Sequence, residues 1–115
     1  MSEEREVTDI EIWGDYPEQE EDEEVFKFAE YYKNEDIGKC KAMMRLKGKY
    51  GHFFMILADK NNDGNFVKLI CNSTVNKTLL QKTLRNTEFT VPFNFRVGQL
   101  ISQNKNEYTA IKIIR

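Results

Sequence analysis

The stretch KCKAMMRLKGKYGHFFMILAD, residues 39–59, decides the fold of this chain. Apolar and basic side chains alternate along its first half, and a period of two directs them to opposite sides of an extended chain. The first half is therefore predicted to be a strand with one buried face and one basic face. The buried face consists of Cys40, Ala42, Met44 and Leu46, and the other face of Lys39, Lys41, Met43, Arg45 and Lys47.

The residues that follow continue this strand into a meander. Residues 48–51 supply a turn, and residues 52–58 form a continuous apolar run of strand length. A segment rich in turn-forming residues, 59–65, precedes a third strand over residues 66–71. The apolar spacing over residues 74–85 then predicts a helix of about three turns.

Two further strands are predicted after this helix. Residues 88–97 alternate most clearly, and residues 99–102 continue the same strand. Pro92 lacks a backbone N–H, so this strand is expected to lie at an edge or to carry a bulge. Residues 108–114 form the closing strand. Its inward face consists either of Ile111 and Ile113 or of Tyr108, Ala110 and Ile114.

Residues 39–59, followed by NFVKLICN at residues 65–72, resemble the first three strands of OB domains of the single-strand-binding and replication-protein-A kind. The resemblance implies a mainly β fold, a five-stranded OB-type Greek-key barrel over residues 37–115 with a helix between strands 3 and 4. It also implies ligand binding along the second and third strands and their flanking loops. A small α+β roll that serves as a protein-interaction module has a similar element order and is the alternative.

The charges of the chain divide at residue 36. Residues 1–36 contain 15 acidic and three basic residues, whereas residues 37–115 contain 14 basic and four acidic residues. The first segment is predicted to be an acidic arm and the second a basic barrel domain. Within the acidic arm, Val25, Phe28 and Tyr32 have helical spacing, which predicts an amphipathic helix over residues 18–33. A basic domain attracts polyanions, so this asymmetry favours a nucleic-acid partner.

Several other classes of function find no support in the sequence. One histidine, His52, and two separated cysteines do not make a zinc site. Residues 59–64 resemble the start of an EF-hand loop, but Ile70 occupies the position of the bidentate glutamate. Cys40 and Cys71 lie in apolar stretches and are expected to be free buried thiols. No cofactor and no enzymatic activity are predicted.

The chain is expected to be intracellular, either cytoplasmic or nuclear, with no membrane partner. It contains no apolar run near the roughly 20 residues of a membrane span. Its acidic N-terminus also lacks the basic and apolar regions of a signal peptide.

Single-stranded nucleic acid needs cations for its phosphates and aromatic planes for its bases. Both occur on the first three barrel strands, and the predicted nucleic-acid-binding residues are Lys39, Lys41, Arg45, Lys47, Lys49, Tyr50, Phe53, Phe66 and Lys68. In the alternative interpretation, the aromatic residues belong to the core and the lysines form a solvated face. The predicted partner-binding residues of the acidic arm are Trp13, Tyr16, Val25, Phe28 and Tyr32.

These patterns predict a single-stranded DNA- or RNA-binding OB domain, or a small OB subunit of a replication, repair or telomere-type complex. The acidic arm is predicted to shield the basic face or to recruit a protein. The alternative is a protein-interaction module, or an inhibitor, without direct nucleic-acid contact.

Overall fold

The computed structural model describes residues 11–18, 23–49, 51–85 and 89–114. The strands within these ranges are β1 (Glu11–Trp13), β2 (Phe26–Lys27), β3 (Ile37–Gly48), β4 (Gly51–Lys60), β5 (Val67–Ile70), β6 (Phe93–Ile101) and β7 (Glu107–Ile113). The helices are α1 (Phe28–Tyr31), which follows β2, and α2 (Ser73–Arg85), which follows β5. The protein is therefore mainly β. Among these residues, no helix has the length and apolar character needed to cross a membrane.

The strands form one curled mixed sheet, a half-barrel, in the order β2-β5-β4-β3-β6-β7. β3 is central because it pairs antiparallel with β4 over nearly its whole length and with β6 through residues 37–40. β1 pairs with residues 43–45 of β3, on the edge that β6 leaves open. The pairing of β2 with β5 is parallel. The long strand β3 thus organises the sheet.

The core fills the inside of the half-barrel. Alternate residues of β4, Phe54, Ile56 and Ala58, are buried, as a period of two requires. α2 adds Val75 and Leu79, which are four residues apart and fully buried. Cys40 and Cys71 are buried and unpaired, which confirms the prediction of free core thiols.

The acidic arm contributes two aromatic residues to this core. Phe28 and Tyr32 are 0% and 1% exposed, and their ring centroids are 4.7 Å apart. Both rings also contact Phe95 of β6, at 5.7 and 5.5 Å. The Tyr32 hydroxyl donates a hydrogen bond to the backbone oxygen of Asp59. The part of the arm around α1 is therefore a component of the folded domain.

The helix predicted over residues 18–33 is wrong in extent. α1 spans only Phe28–Tyr31, and residues 19–22 lie outside the described residues. Phe26 and Lys27 instead pair with β5. They cover the edge of β5 that does not pair with β4. Like charges four residues apart destabilise a helix, so the acidic run also disfavours the longer one.

The count of five strands does not describe this sheet. β3 to β7 lie within residues 37–115, but β1 and β2 of the acidic arm join them. The two alternatives for the closing strand are also resolved, because Ile111 and Ile113 of β7 pack against the core. Tyr108 and Ile114 are exposed instead.

Candidate nucleic-acid interface

A β-bulge in β3 divides the predicted row of cations. Cys40 lies opposite Ala58, whereas Ala42 lies opposite Leu57, so Lys41 is an extra residue between two registers. A bulge of this kind reverses the face of every later residue. Met43, which was predicted to face outward, is accordingly fully buried. The prediction that the five residues 39, 41, 43, 45 and 47 share one face is therefore wrong.

Arg45 lies on the face of the sheet that carries the buried Phe54, which is its direct partner on β4. Its guanidinium Nη2 is 3.0 Å from a carboxylate oxygen of Glu11, the residue that faces it on β1. The Arg45 side chain is 20% exposed and that of Glu11 is 53% exposed. One predicted phosphate-binding cation is thus occupied by a carboxylate of the acidic arm.

Lys68 is also held by the acidic arm. Its Nζ donates hydrogen bonds to the backbone oxygen of Glu18 at 2.8 Å and to Glu23 Oε1 at 2.9 Å. It also lies 5.4 Å from the centroid of the Tyr16 ring. The Lys68 side chain is 1% exposed. In this structure the Lys68 ammonium is thus bound to the arm, and its role as a nucleic-acid contact stays a prediction.

The predicted partner-binding residues also make contacts within the protein. Trp13 is half-buried, and its ring centroid is 6.1 Å from that of Phe54. Tyr16 and Val25 are half-buried, and burial, with a smaller contribution from Glu23, raises the pKa of the Tyr16 phenol. Phe28 and Tyr32 lie in the core, so their side chains are not exposed on the surface of this structure.

The other predicted cations and aromatics lie nearer to solvent. Lys39, Lys41 and Lys47 are exposed. The Lys41 ammonium lies 4.8 Å from the centroid of the half-buried Phe66 ring, which is a cation–π contact. Tyr50 lies outside the described residues.

A basic groove lies between the β3–β4 hairpin and the first turns of α2. Its volume is about 500 Å³. The groove contains two of the predicted residues, Lys49 and Phe53. Another predicted residue, Lys47, lies in the hairpin opposite His52, which also lines the groove. The residues that line it are Gly48, Lys49, Gly51, His52, Phe53, Ser73, Asn76, Lys77 and Leu80.

Asn76 fixes the helix against the hairpin. Its side-chain oxygen accepts the backbone N–H of Phe54 at 2.9 Å, and its side-chain nitrogen donates to the backbone oxygen of Cys71 at 3.2 Å. Gly48 allows the ring of Phe53 to pack on the hairpin, because a β-carbon at position 48 would lie 2.9 Å from that ring. The walls of the groove are therefore set by close packing and by partly buried hydrogen bonds.

The chemistry of the groove suits an anion attached to an apolar plane. Lys49 and Lys77 supply ammonium groups, and His52 supplies ring nitrogens. Phe53 and Leu80 supply an apolar wall. All of the lining residues are neutral or basic. A nucleotide, in which a phosphate is attached to a planar base, is a ligand of this kind.

Seven of the nine groove residues were not predicted from the sequence, among them His52, Asn76, Lys77 and Leu80. Lys77 and Leu80 lie three residues apart in a segment predicted to be helical, so they were predictable as neighbours on one helix face. Their meeting with the hairpin depends on the docking of α2. Asn76 makes that contact across 22 residues, a separation that local periodicity does not report.

Comparisons of the chain with protein-family models, with curated proteins and with solved structures found no match.

Proposed function

We propose that this protein binds single-stranded nucleic acid, and that the basic groove is its principal contact. The observation that carries this proposal is the combination of two lysines, a histidine and an aromatic ring in one groove. Phosphates pair with the cations, and a base packs against Phe53. A base of any identity can stack on an aromatic ring, so binding with little sequence preference is expected.

We propose further that the half-barrel is of the OB type. Support comes from the strand order: β3, β4 and β5 pair in succession, and β6 returns to lie beside β3. This is the order of a Greek key, in which the fourth strand lies next to the first. In OB domains the loop between the first two barrel strands is part of the ligand site. The corresponding hairpin, β3–β4, forms one wall of the basic groove.

The acidic arm acts in this proposal as a shield that nucleic acid displaces in part. The Glu11–Arg45 ion pair supports this role, because a phosphate offers the guanidinium the same acceptor geometry as a carboxylate. Arg45 Nε, which is buried, has no hydrogen-bond partner among the described residues, so the arm satisfies this guanidinium incompletely. The buried Lys68–Glu23 contact is a structural attachment of the arm that stays in place.

The test is the affinity for a labelled oligothymidylate, measured by fluorescence anisotropy over a series of salt concentrations. For the wild-type protein, the logarithm of the affinity falls linearly with the logarithm of the salt concentration. The variants Lys49→Gln and Lys77→Gln are expected to lower this slope by about 0.7 each, the value for one phosphate contact on a single strand.

Lys82→Gln is the matched control, because Lys82 is an exposed lysine of the same helix and is not among the residues that line the groove. It should leave the slope close to that of the wild type. A wild-type slope near zero would remove the proposal, and equal slopes for all three variants would remove the groove as the site.

A further inference from the structure

The β6–β7 hairpin exposes one of its faces to solvent. Facing pairs alternate along it, and Val97, buried opposite Ile111, belongs to the core face. The neighbouring pairs therefore point away from the core. In order along the hairpin, these outward pairs are Arg96 with Lys112, Gly98 with Ala110, and Leu100 with Tyr108. We call these six residues the ribbon platform.

One end of the ribbon platform is cationic. Arg96 and Lys112 lie directly opposite each other, an arrangement that costs stability because like charges repel. Lys39 of β3 joins them on the same face, because Lys39 lies opposite Asn94 and Asn94 is two residues from Arg96. Lys39 precedes the bulge in β3, whereas the residues of β3 in the basic groove follow it. Lys39 therefore lies near Arg96 and Lys112.

Glu35 is an acidic residue that borders the ribbon platform. Its carboxylate is 3.4 Å from Arg96 Nη1, but the two side chains are 70% and 57% exposed. Solvent and salt weaken an ion pair of this exposure. Two carboxylates of the described residues, the exposed Glu35 and the buried Asp59 opposite Lys39, therefore lie beside these three cations.

The middle and the far end of the ribbon platform are open and apolar. A β-carbon added at Gly98 would meet no atom within 4 Å, so the backbone forms a bare shelf there. A groove of about 230 Å³ runs over this shelf between Arg96 and Leu100. Leu100 and Tyr108 beyond it are 47% and 37% exposed. Exposed apolar side chains beside cations are typical of a ligand contact.

We infer that the ribbon platform is a second contact surface for single-stranded nucleic acid. A phosphate binds between Arg96 and Lys112, and its base lies on the shelf at Gly98 against the ring of Tyr108. Successive outward pairs are roughly 7 Å apart along a strand, and the shelf at Gly98 lies one pair away from Arg96 and Lys112. This spacing suits the distance between a phosphate and its own base. An acidic peptide would use the same cations, but the bare shelf and the aromatic ring favour a planar base.

This inference rests on the proposed function and extends it to longer strands. Nine residue steps of β3 separate Lys39 from Gly48 of the basic groove, which is roughly 30 Å of extended chain. An oligonucleotide of about five nucleotides therefore contacts one site at a time, whereas one of about 20 nucleotides contacts both. Tethering at two sites raises the affinity for the longer strand without new contacts.

The experiment combines the substitutions Lys112→Gln and Tyr108→Leu. The expected result is a loss of about tenfold in affinity for the oligothymidylate of about 20 nucleotides, with less than a twofold change for the one of about five. Lys105→Gln is the control, because Lys105 is exposed in the turn of the same hairpin. The melting temperature of the double variant should not fall, because the substitution at Lys112 removes a like-charge contact.

A second readout tests the contact directly. Photocrosslinking of an oligonucleotide that contains 5-iodouracil should attach it to Tyr108, as located by mass spectrometry. If the double variant binds the longer strand as tightly as the wild type does, the ribbon platform is not a nucleic-acid contact, although the basic groove is still supported. If the wild type binds no strand at low salt, both proposals fail. Binding of an acidic aromatic peptide, and no crosslink to Tyr108, would assign the platform to a protein partner.

Discussion

The ammonium of Lys68 lies 2.9 Å from a carboxylate oxygen of Glu23, which is 45 residues away in the sequence. The Lys68 side chain is 1% exposed, so this contact is closed to solvent on the lysine side. The acidic arm and the basic sheet, whose net charges are opposite, therefore meet in an ion pair that is buried on the lysine side. Their complementary charge is in part an internal property of the fold.

Replacement of Glu23 by glutamine should destabilise the protein. The buried Lys68 ammonium would keep the Glu18 backbone oxygen and lose its charged partner. Loss of a hydrogen bond between charged groups costs about 1.5–3 kcal/mol. Because Glu23 is 34% exposed, we expect a value near the lower limit, about 1.5 kcal/mol, in urea unfolding. Lys68→Met removes the buried charge as well and should cost less. Equal unfolding free energies for wild type and Glu23→Gln would contradict this account.

Neutralisation of Glu11 should tighten nucleic-acid binding. In the proposed function Glu11 competes with phosphate for Arg45, and an exposed ion pair contributes about 0.2–1 kcal/mol. Glu11→Gln is therefore expected to increase the affinity for an oligonucleotide about two- to fivefold at low salt. Glu30→Gln, an exposed acid of α1, changes the net charge equally and is the control. An equal gain in both variants would mean that only net charge matters, and no gain would contradict shielding.

The sequence was most informative where structure is local. Alternation identified the strand nature of residues 39–47, and the turn residues around Gly48 and Gly51 identified the hairpin that the structure forms. The bulge at Lys41 has no local signature, because lysine is compatible with either face of a strand. The faces of Met43 and Arg45 were therefore assigned incorrectly.

The candidate site depended on contacts between distant segments. Val25, Phe28 and Tyr32 have helical spacing, but the helix is a single turn, and of the three only Phe28 and Tyr32 belong to the core cluster. Lys68 was indistinguishable in sequence from an exposed strand lysine, and only the folded position of Glu23 buries it. Tertiary packing overrides local propensity in both cases.

Substitution of Tyr32 by phenylalanine should lower the unfolding free energy by about 1–2 kcal/mol. The Tyr32 hydroxyl donates a 2.8 Å hydrogen bond to the backbone oxygen of Asp59, and both residues are buried. Without the hydroxyl, that oxygen loses its donor in a region closed to water. Tyr31→Phe is the adjacent control, since Tyr31 is half-buried, and it should change stability by less than about 0.5 kcal/mol. A similar loss in both variants would contradict a specific role of the buried hydrogen bond.

The stability of the protein should fall as the pH rises above about 8.5. Burial raises the pKa of the Cys40 and Cys71 thiols well above the ordinary value of 9.0. In the unfolded chain these thiols ionise near their ordinary pKa, whereas in the native protein they keep their protons. The unfolded state then binds fewer protons, so the unfolding free energy decreases by about 1.4 kcal/mol per pH unit for each thiol.

Urea unfolding between about pH 8 and pH 10 measures this slope. Cys71→Ala should reduce the slope of unfolding free energy against pH by about the contribution of one thiol. The lost side chain also lowers stability at every pH. Thiol-specific reagents should also label the native protein slowly and the unfolded chain rapidly. A flat profile up to pH 10, or rapid labelling of the native protein, would show that the two thiols are accessible to solvent.

Substitution of Gly38 by alanine adds one methyl group. It should be among the most destabilising additions of this size in the protein. A β-carbon at Gly38 would lie 2.5 Å from the ring of Phe95 and 2.9 Å from the backbone oxygen of Asp59, so either the ring or the β3–β4 pairing must move. Overpacking of this kind costs about 1–3 kcal/mol. Gly98→Ala adds the same methyl group where no atom lies within 4 Å, and it should be neutral or stabilising by up to about 1 kcal/mol. Parallel melting curves of the two variants measure the difference, and equal melting temperatures would mean that β3 approaches β6 less closely at Gly38 than the structure describes.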